Sequence, residues 1–180
     1  ENNGDLKRIG NNSPRYRVGL NLDAAWKGID FSIFFQGVLK RDWMFDAGDP
    51  YFWGAGSGMW QAACFEEHMD YWTPENTDAY YPKPYFNETK NQQAQDAYMQ
   101  KASYLRCKNI QLGYTLPTHI TEKAGISNCR IYLSCDNLFT ITGLSSVYDP
   151  EVFGSYDGYG TSGKTYPLQR TISVGVNLNF

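Results

Sequence analysis

Five stretches of this chain alternate apolar and polar side chains with a period of two. The cleanest is residues 168–180, LQRTISVGVNLNF. There Ile172, Val174, Val176, Leu178 and Phe180 fall on one parity, and Gln169, Thr171, Ser173, Asn177 and Asn179 on the other. Successive side chains of a strand point to opposite faces, so the segment reads as a strand with one apolar and one polar face. A half-buried strand of a soluble sandwich has the same period. Two details point elsewhere: the polar parity is amide and hydroxyl rather than Lys and Glu, and the alternation runs out to an aromatic ring, Phe180. Both suit a strand between lipid and a watery lumen.

Residues 14–26 set Tyr16, Val18, Leu20, Leu22, Ala24 and Trp26 against Arg15, Arg17, Asn21 and Asp23. Lys27-Gly28 reads as a tight turn, and 29–39 alternates again, with Ile29, Phe31, Ile33 and Phe35 opposite Asp30, Ser32 and Gln36. Phe34 and Val38 interrupt that second parity. Each arm of this hairpin is as long as the roughly 9–11 residues that cross a bilayer as a tilted strand. Residues 104–117 place Ile110, Leu112, Tyr114 and Leu116 on one face and Cys107, Asn109, Gln111 and Thr115 on the other. Residues 129–139 place Ile131, Leu133 and Cys135 outward with Ser134 and Asp136 inward, Tyr132 being open to either reading. Cys107 and Cys135 are thereby expected on opposite faces, as free thiols.

The connections run short, long, short, long. The pattern therefore predicts an all-β, antiparallel, up-and-down arrangement, with short turns on one edge and the long loops 40–103 and 140–167 on the other. That asymmetry is the one of an outer-membrane barrel. The first long loop has no sustained period but is dense in aromatic rings, so it predicts a folded excursion rather than disorder. Within it 57–72 and 91–101 are read as short helices, and 120–124 as a helical turn between the third and fourth strands.

Composition changes the picture at three points. Aromatic residues make up 16% of the 180-residue chain, enough for aromatic girdles or for loops that contact sugars or peptides. A formal net charge of −3 argues against nucleic acid as a partner. The mean hydropathy of −0.53 does not exclude a membrane barrel, whose strands are polar at every second residue. With no initiating Met and no leader-like segment, the chain reads as part of something longer. Cys64, Cys107, Cys129 and Cys135 match no zinc spacing, and His68 and His119 stand apart, so neither metal nor cofactor is expected. No triad of nucleophile, base and acid is recognisable, and the adjacent acids Glu66-Glu67 read as a solvated face, so the chain is not expected to be an enzyme.

The chemistry on offer is recognition. Trp43, Trp53, Trp60, Trp72, Tyr80 and Tyr81 present rings on which a sugar can stack, with Asp46, Asp49, Asn76, Asp78 and Asn87 for its hydroxyls. Cargo contact, contact with a partner protein and packing within the loop are all compatible with those rings. Arg15, Arg17, Asp23, Asp30, Asn109 and Gln111 are expected to face the lumen. Tyr16, Trp26, Tyr114 and Phe180 sit near strand ends, where amphipathic rings meet lipid headgroups.

The run RIGNNSPRYRVGLNLDAAWKGIDFSIFFQGVLKRDW resembles the C-terminal region of SusC/RagA-like, TonB-dependent outer-membrane transporters, as do YFWG, DYWTPENTDAYYPKPY, ASYLRCKNIQLGYTLP, IYLSCDNLFTITGL and YDPEV. The resemblance extends from about Asn3 to Phe180. It implies the C-terminal section of a large transmembrane barrel of roughly 22 strands, its plug domain absent from this stretch. It further implies a SusD-like surface lipoprotein as lid and TonB with its inner-membrane motor as the energy source. The implied cargo is an oligosaccharide or peptide, and Phe180 takes the place of the terminal aromatic read by the barrel-assembly machinery. The alternative is a soluble or surface-attached β-sandwich that binds carbohydrate through its aromatic loops.

Overall fold

The computed structural model describes residues 7–57, 62–86, 90–152 and 165–180. Six strands form one antiparallel sheet: β1 (Arg17–Trp26), β2 (Ile29–Val38), β3 (Asp42–Trp43), β4 (Gln100–Thr115), β5 (Asn128–Gly143) and β6 (Thr171–Asn179). The order β1-β2-β4-β5-β6 is an up-and-down meander, with the two-residue β3 beside the first residues of β4. No second sheet is present among the described residues, so the β-sandwich alternative lacks its facing layer. The chain divides into two compact units. The sheet unit is Pro14–Lys40, Ser103–Thr142 and Leu168–Phe180; the loop unit is Glu1–Ser13, Arg41–Ala102 and Gly143–Pro167.

In the sheet unit, β1 and β2 are joined by Lys27 and Gly28, both at positive φ (48° and 84°), the primed turn whose twist matches a two-residue hairpin. The turn fixes the register at Trp26↔Ile29 and carries it to Arg17↔Val38. Apolar residues of one parity then meet apolar partners across the strands: Leu22↔Ile33↔Ile110, and Ala24↔Phe31↔Leu112. β5 and β6 repeat this with Ile131↔Val176, Leu133↔Val174 and Cys135↔Ile172. This apolar face stays bare: Leu22 is 51% exposed, Leu133 49% and Val174 73%.

A β-bulge corrects the simple alternation of β4. Between β2 and β4 the register passes from Phe34↔Asn109 to Phe35↔Cys107, with Lys108 as the extra residue. One inserted residue exchanges the faces of everything before it. Cys107 therefore lies on the apolar face, the face that Cys135 occupies on β5, and not opposite it as alternation alone predicts. Both are buried, free thiols. Arg106 moves to the polar face, where its Nε donates to Thr140 Oγ1 at 2.7 Å.

The stretches read as helices, 57–72 and 91–101, hold only single 3-10 turns in the described residues: Glu66–Met69, Lys90–Gln92 and Asp96–Tyr98. Neither carries an apolar stripe of helical period, so nothing sustains a longer helix. The short connection before β5 holds one α-helical turn, α1 (Thr118–Thr121), continued as a 3-10 turn over Glu122–Ala124.

The loop unit folds around its rings. Phe45, Phe52, Trp53, Tyr81, Tyr98, Ala102, Leu144 and Tyr148 form its core. Phe45 stacks on Phe52 at 4.5 Å and on Tyr148 at 4.3 Å, while Trp53 meets Tyr98 edge-on at 4.8 Å, geometries that add to the area each ring buries.

Candidate functional site

Polar groups inside the loop unit tie its backbone into one shape. Asp49 is 3% exposed, and its Oδ1 accepts from the Tyr51 N–H (3.0 Å), the Phe52 N–H (2.9 Å) and the Tyr148 hydroxyl (2.9 Å). A carboxylate at that depth is tolerated only when so satisfied. Glu67 accepts from the Ser145 hydroxyl on both oxygens, at 2.7 and 2.8 Å, and from the Tyr81 hydroxyl at 3.3 Å. It is thus a structural acceptor rather than the solvated acid its neighbour Glu66 suggested. The imidazole of His68 accepts from the Phe65 N–H at Nδ1 (2.9 Å), which leaves Nε2 to donate to the Phe52 carbonyl (3.1 Å). Gln92 accepts from the Gly48 N–H and donates to the Gly56 carbonyl, both at 2.6 Å. Burial and the neighbouring carboxylates push the Tyr81 and Tyr148 hydroxyls far above the usual tyrosine range, so both remain donors.

The segment 70–81 is a loop closed on itself by a parallel bridge between Tyr71 and Tyr81. Tyr81 N–H donates to the Asp70 carbonyl at 3.0 Å, and Trp72 N–H to the Tyr81 carbonyl at 2.9 Å. The Asp70 carboxylate accepts from Tyr80 N–H and Asn76 Nδ2, each at 3.1 Å, and Thr73 Oγ1 accepts from Asn76 N–H at 3.1 Å. Pro82 and Pro84 stiffen the segment that follows. Together these hold open a cleft of about 430 Å³, lined by Trp72, Ala79, Tyr81, Pro82, Lys83, Tyr85, Asn91, Gln95 and Tyr98.

The six aromatic candidates separate. Trp53 and Tyr81 are core residues of the loop unit. Trp43 is half-buried against that core, with the Arg41 guanidinium 4.9 Å from its ring centroid. Trp72 and Tyr80 are each 38% exposed, and Trp72 lines the cleft. Trp60 lies outside the described residues. Of the hydroxyl-binding candidates, Asp49 and Asn76 are spent on the loop's own hydrogen bonds, and Asn87 also lies outside the described residues.

On the sheet unit, Arg17, Asp23, Asp30, Asn109 and Gln111 share the polar face, as the registers Asp23↔Ser32↔Gln111 and Phe34↔Asn109 require. Arg15 precedes β1, its N–H donating to the Lys40 carbonyl at 3.0 Å. The residue that organises this face, Arg130, was not among the candidates. Its Nε donates to Asp30 Oδ1 at 2.9 Å, its Nη2 donates to Asp30 Oδ2 and, at 3.1 Å, to Gln111 Oε1, and its guanidinium lies 5.0 Å from the Tyr132 ring centroid. Asn109 Nδ2 donates to Asp136 Oδ1 at 2.7 Å. The signal for Arg130 was a pair of strand glycines. A Cβ on Gly113 would strike Arg130 and Asp30, and one on Gly175 would strike the Tyr132 ring. Tyr132 thus belongs to the polar face, opposite Gly175.

The chain is 30% identical over 183 residues to TonB-dependent receptor P3 of Formosa agariphila, and 27% identical over 184 residues to TonB-dependent receptor P26 of the same organism. Each match takes in 98% of this chain. The RagAB peptide importer in its open-open state contains a chain that superposes with a TM-score of 0.69 at 28% identity, over 93% of this chain. Over nearly its whole length the chain is similar to one section of TonB-dependent receptors. The chain spans 17% and 18% of the lengths of the two receptors, and 17% of the importer chain. No family model matches it. The solved importer in its closed-closed state gives a TM-score of 0.68 at 26% identity. These relatives are receptors and importers by name, and their fold explains an open sheet with an uncovered apolar face: it is a section of barrel wall.

Proposed function

We propose that this chain forms the C-terminal strands and two external loops of an importer that draws oligosaccharides or peptides across the outer membrane. On this reading its apolar face lies against outer-membrane lipid, and its polar face, with Arg17, Asp23, Asp30, Asn109 and Gln111, lines the lumen or meets the plug. A SusD-like surface lipoprotein covers the loops, and TonB with its inner-membrane motor supplies the energy through parts of the protein outside this stretch. Phe180 serves as the aromatic signal for barrel assembly.

One observation carries the reading. Each long strand exposes residues of the apolar parity, among them Leu20 and Leu22 on β1, Ile29 on β2, Leu112 on β4, Leu133 on β5 and Val174 and Val176 on β6, with Phe31, Ile33 and Phe35 half-buried between them. A water-facing sheet solvates its bare face with charge, whereas lipid needs no such covering. The length agrees. The 10 residues of β1 span about 33 Å at about 3.3 Å per residue. At the usual tilt of about 40° that is close to the roughly 25 Å apolar band of outer-membrane barrels.

The test is extraction of outer membranes with detergent, followed by native and denaturing gels and mass spectrometry of the bands. The expected result is a large polypeptide that requires detergent and migrates with a lipoprotein. A small species soluble without detergent would overturn the reading.

A further inference from the structure

We propose that the cleft of the loop unit is a subsite for an acidic sugar ring, one that carries a carboxylate or a sulfate. The proposal deepens the importer reading, on which the external position of the cleft rests. Its walls offer three kinds of group. Trp72, 38% exposed, and Tyr85, 52% exposed, present aromatic faces. Asn91 and Gln95, both exposed, line the cleft with side-chain amides, the Gln95 Nε2 donating to the Asn91 carbonyl at 3.3 Å. Lys83 presents one ammonium, 5.6 Å from the Tyr85 ring centroid. No carboxylate lines the cleft among the described residues.

This set matches one ligand chemistry better than its competitor. A pyranose ring has an apolar C–H face for an indole and a rim of hydroxyls for amides. The ammonium, in a lining that holds no acid among the described residues, favours a negative charge at the rim of that ring. A peptide asks for something else: a row of backbone donors and acceptors to pair with, as on an open strand edge, and an acid for its amino terminus. Among the described residues the walls supply no such acid. The volume, about 430 Å³, is within the range of about 300–1,000 Å³ in which small ligands bind. The cleft is also pre-formed. Asp70, Thr73 and Gln92 hold the adjoining backbone at Tyr80, Asn76 and Gly56 by hydrogen bonds that do not involve the lining rings, which limits the ordering left to a ligand.

The experiment is calorimetric titration of the full-length protein in detergent. The probes are trisaccharides of galacturonate, of mannuronate and of sulfated galactose, with neutral galactotriose and tri-aspartate for comparison. At least one acidic trisaccharide is expected to bind more tightly than galactotriose and tri-aspartate. Trp72→Ala should weaken it by roughly tenfold or more, as for an aromatic hot spot. Lys83→Gln should weaken the acidic sugar by about fivefold, the upper end for an exposed ion pair, leave galactotriose unchanged, and be rescued by Lys83→Arg. Absence of binding by all three acidic sugars would overturn the proposal. So would binding indifferent to Trp72 and Lys83, or tri-aspartate binding as tightly as the best sugar. Energised uptake is measured separately in cells: loss of uptake with binding intact counts against the importer and leaves the subsite standing.

Discussion

Arg130 on β5 reaches across the intervening strand β4 to Asp30 on β2, joining residues 100 apart in sequence over the bare backbone of Gly113. The contact is bidentate, the geometry in which a guanidinium holds a carboxylate most firmly. It fixes three strands in one register at the end of the sheet where β1 and β2 turn. Asp30→Asn and Arg130→Gln should each lower the temperature at which the folded band converts to the unfolded band on a gel. The double substitution should cost less than the sum, because each single change strands the partner's charge. Additive losses would mean that the two side chains act independently.

Gly175 gives the Tyr132 ring its place, and a methyl group there meets that ring. Gly175→Ala is expected to destabilise by about 1–3 kcal/mol, the usual cost of overpacking. Adding Tyr132→Ala should recover part of the loss, since it removes the obstructing ring. Thermal unfolding of the two variants side by side reads this directly.

Trp53 and Trp72 lie in the same loop and should behave in opposite ways. Trp53 is core, with edge contacts to Phe52 and Tyr98, so Trp53→Ala should cost the loop unit about 3–5 kcal/mol and open it to protease. Trp72→Ala should leave the digestion pattern as it is and alter only binding. Equal protease sensitivity in both would place Trp72 among the packing residues.

The loop unit should loosen at alkaline pH. Desolvation, joined by Glu67 for Tyr81 and by Asp49 for Tyr148, raises both hydroxyls above their ordinary value of 10.0. Burial raises Tyr80 and Tyr98 in the same direction. A raised folded-state value means that the unfolded chain releases its protons first. Stability from these groups is therefore complete below pH 10 and drains away as the pH climbs toward the folded-state values. Tyrosinate absorbance followed against pH should show a late set, Tyr80, Tyr81, Tyr98 and Tyr148, rising together with protease sensitivity of the loops. A single transition for all tyrosines would refute this.

The strands of the sheet were legible in the sequence because the alternation that marks them is the same alternation that sorts lipid from water. Ile172, Val174 and Val176 announce β6 without help from any other residue. Reading failed where one residue breaks the count. The bulge at Lys108 leaves no mark in composition, so Cys107 was assigned to the wrong face and Arg106 to none. The polar face was seen as a set of separate candidates because its organiser, Arg130, acts at a sequence distance no local pattern spans. Only Gly113 and Gly175, small residues where a strand favours large ones, hinted at side chains crossing above them. In the loop unit the aromatic density was plain, but which rings are core and which are surface depends on contacts such as Phe45 with Tyr148, made between segments with no common period.

The two long loops do not fold as two separate pieces. Tyr148 and Ser145, from the second, complete the carboxylates Asp49 and Glu67 of the first. An evolutionary exchange, or an engineered graft, that moved one loop onto another barrel would leave a buried acid without its hydroxyl. The pair is therefore expected to be inherited as a cassette. A receptor lineage that diversifies its outer surface must draw substitutions in both loops together, so sequence drift in 41–102 should be matched by compensating drift at 143–152.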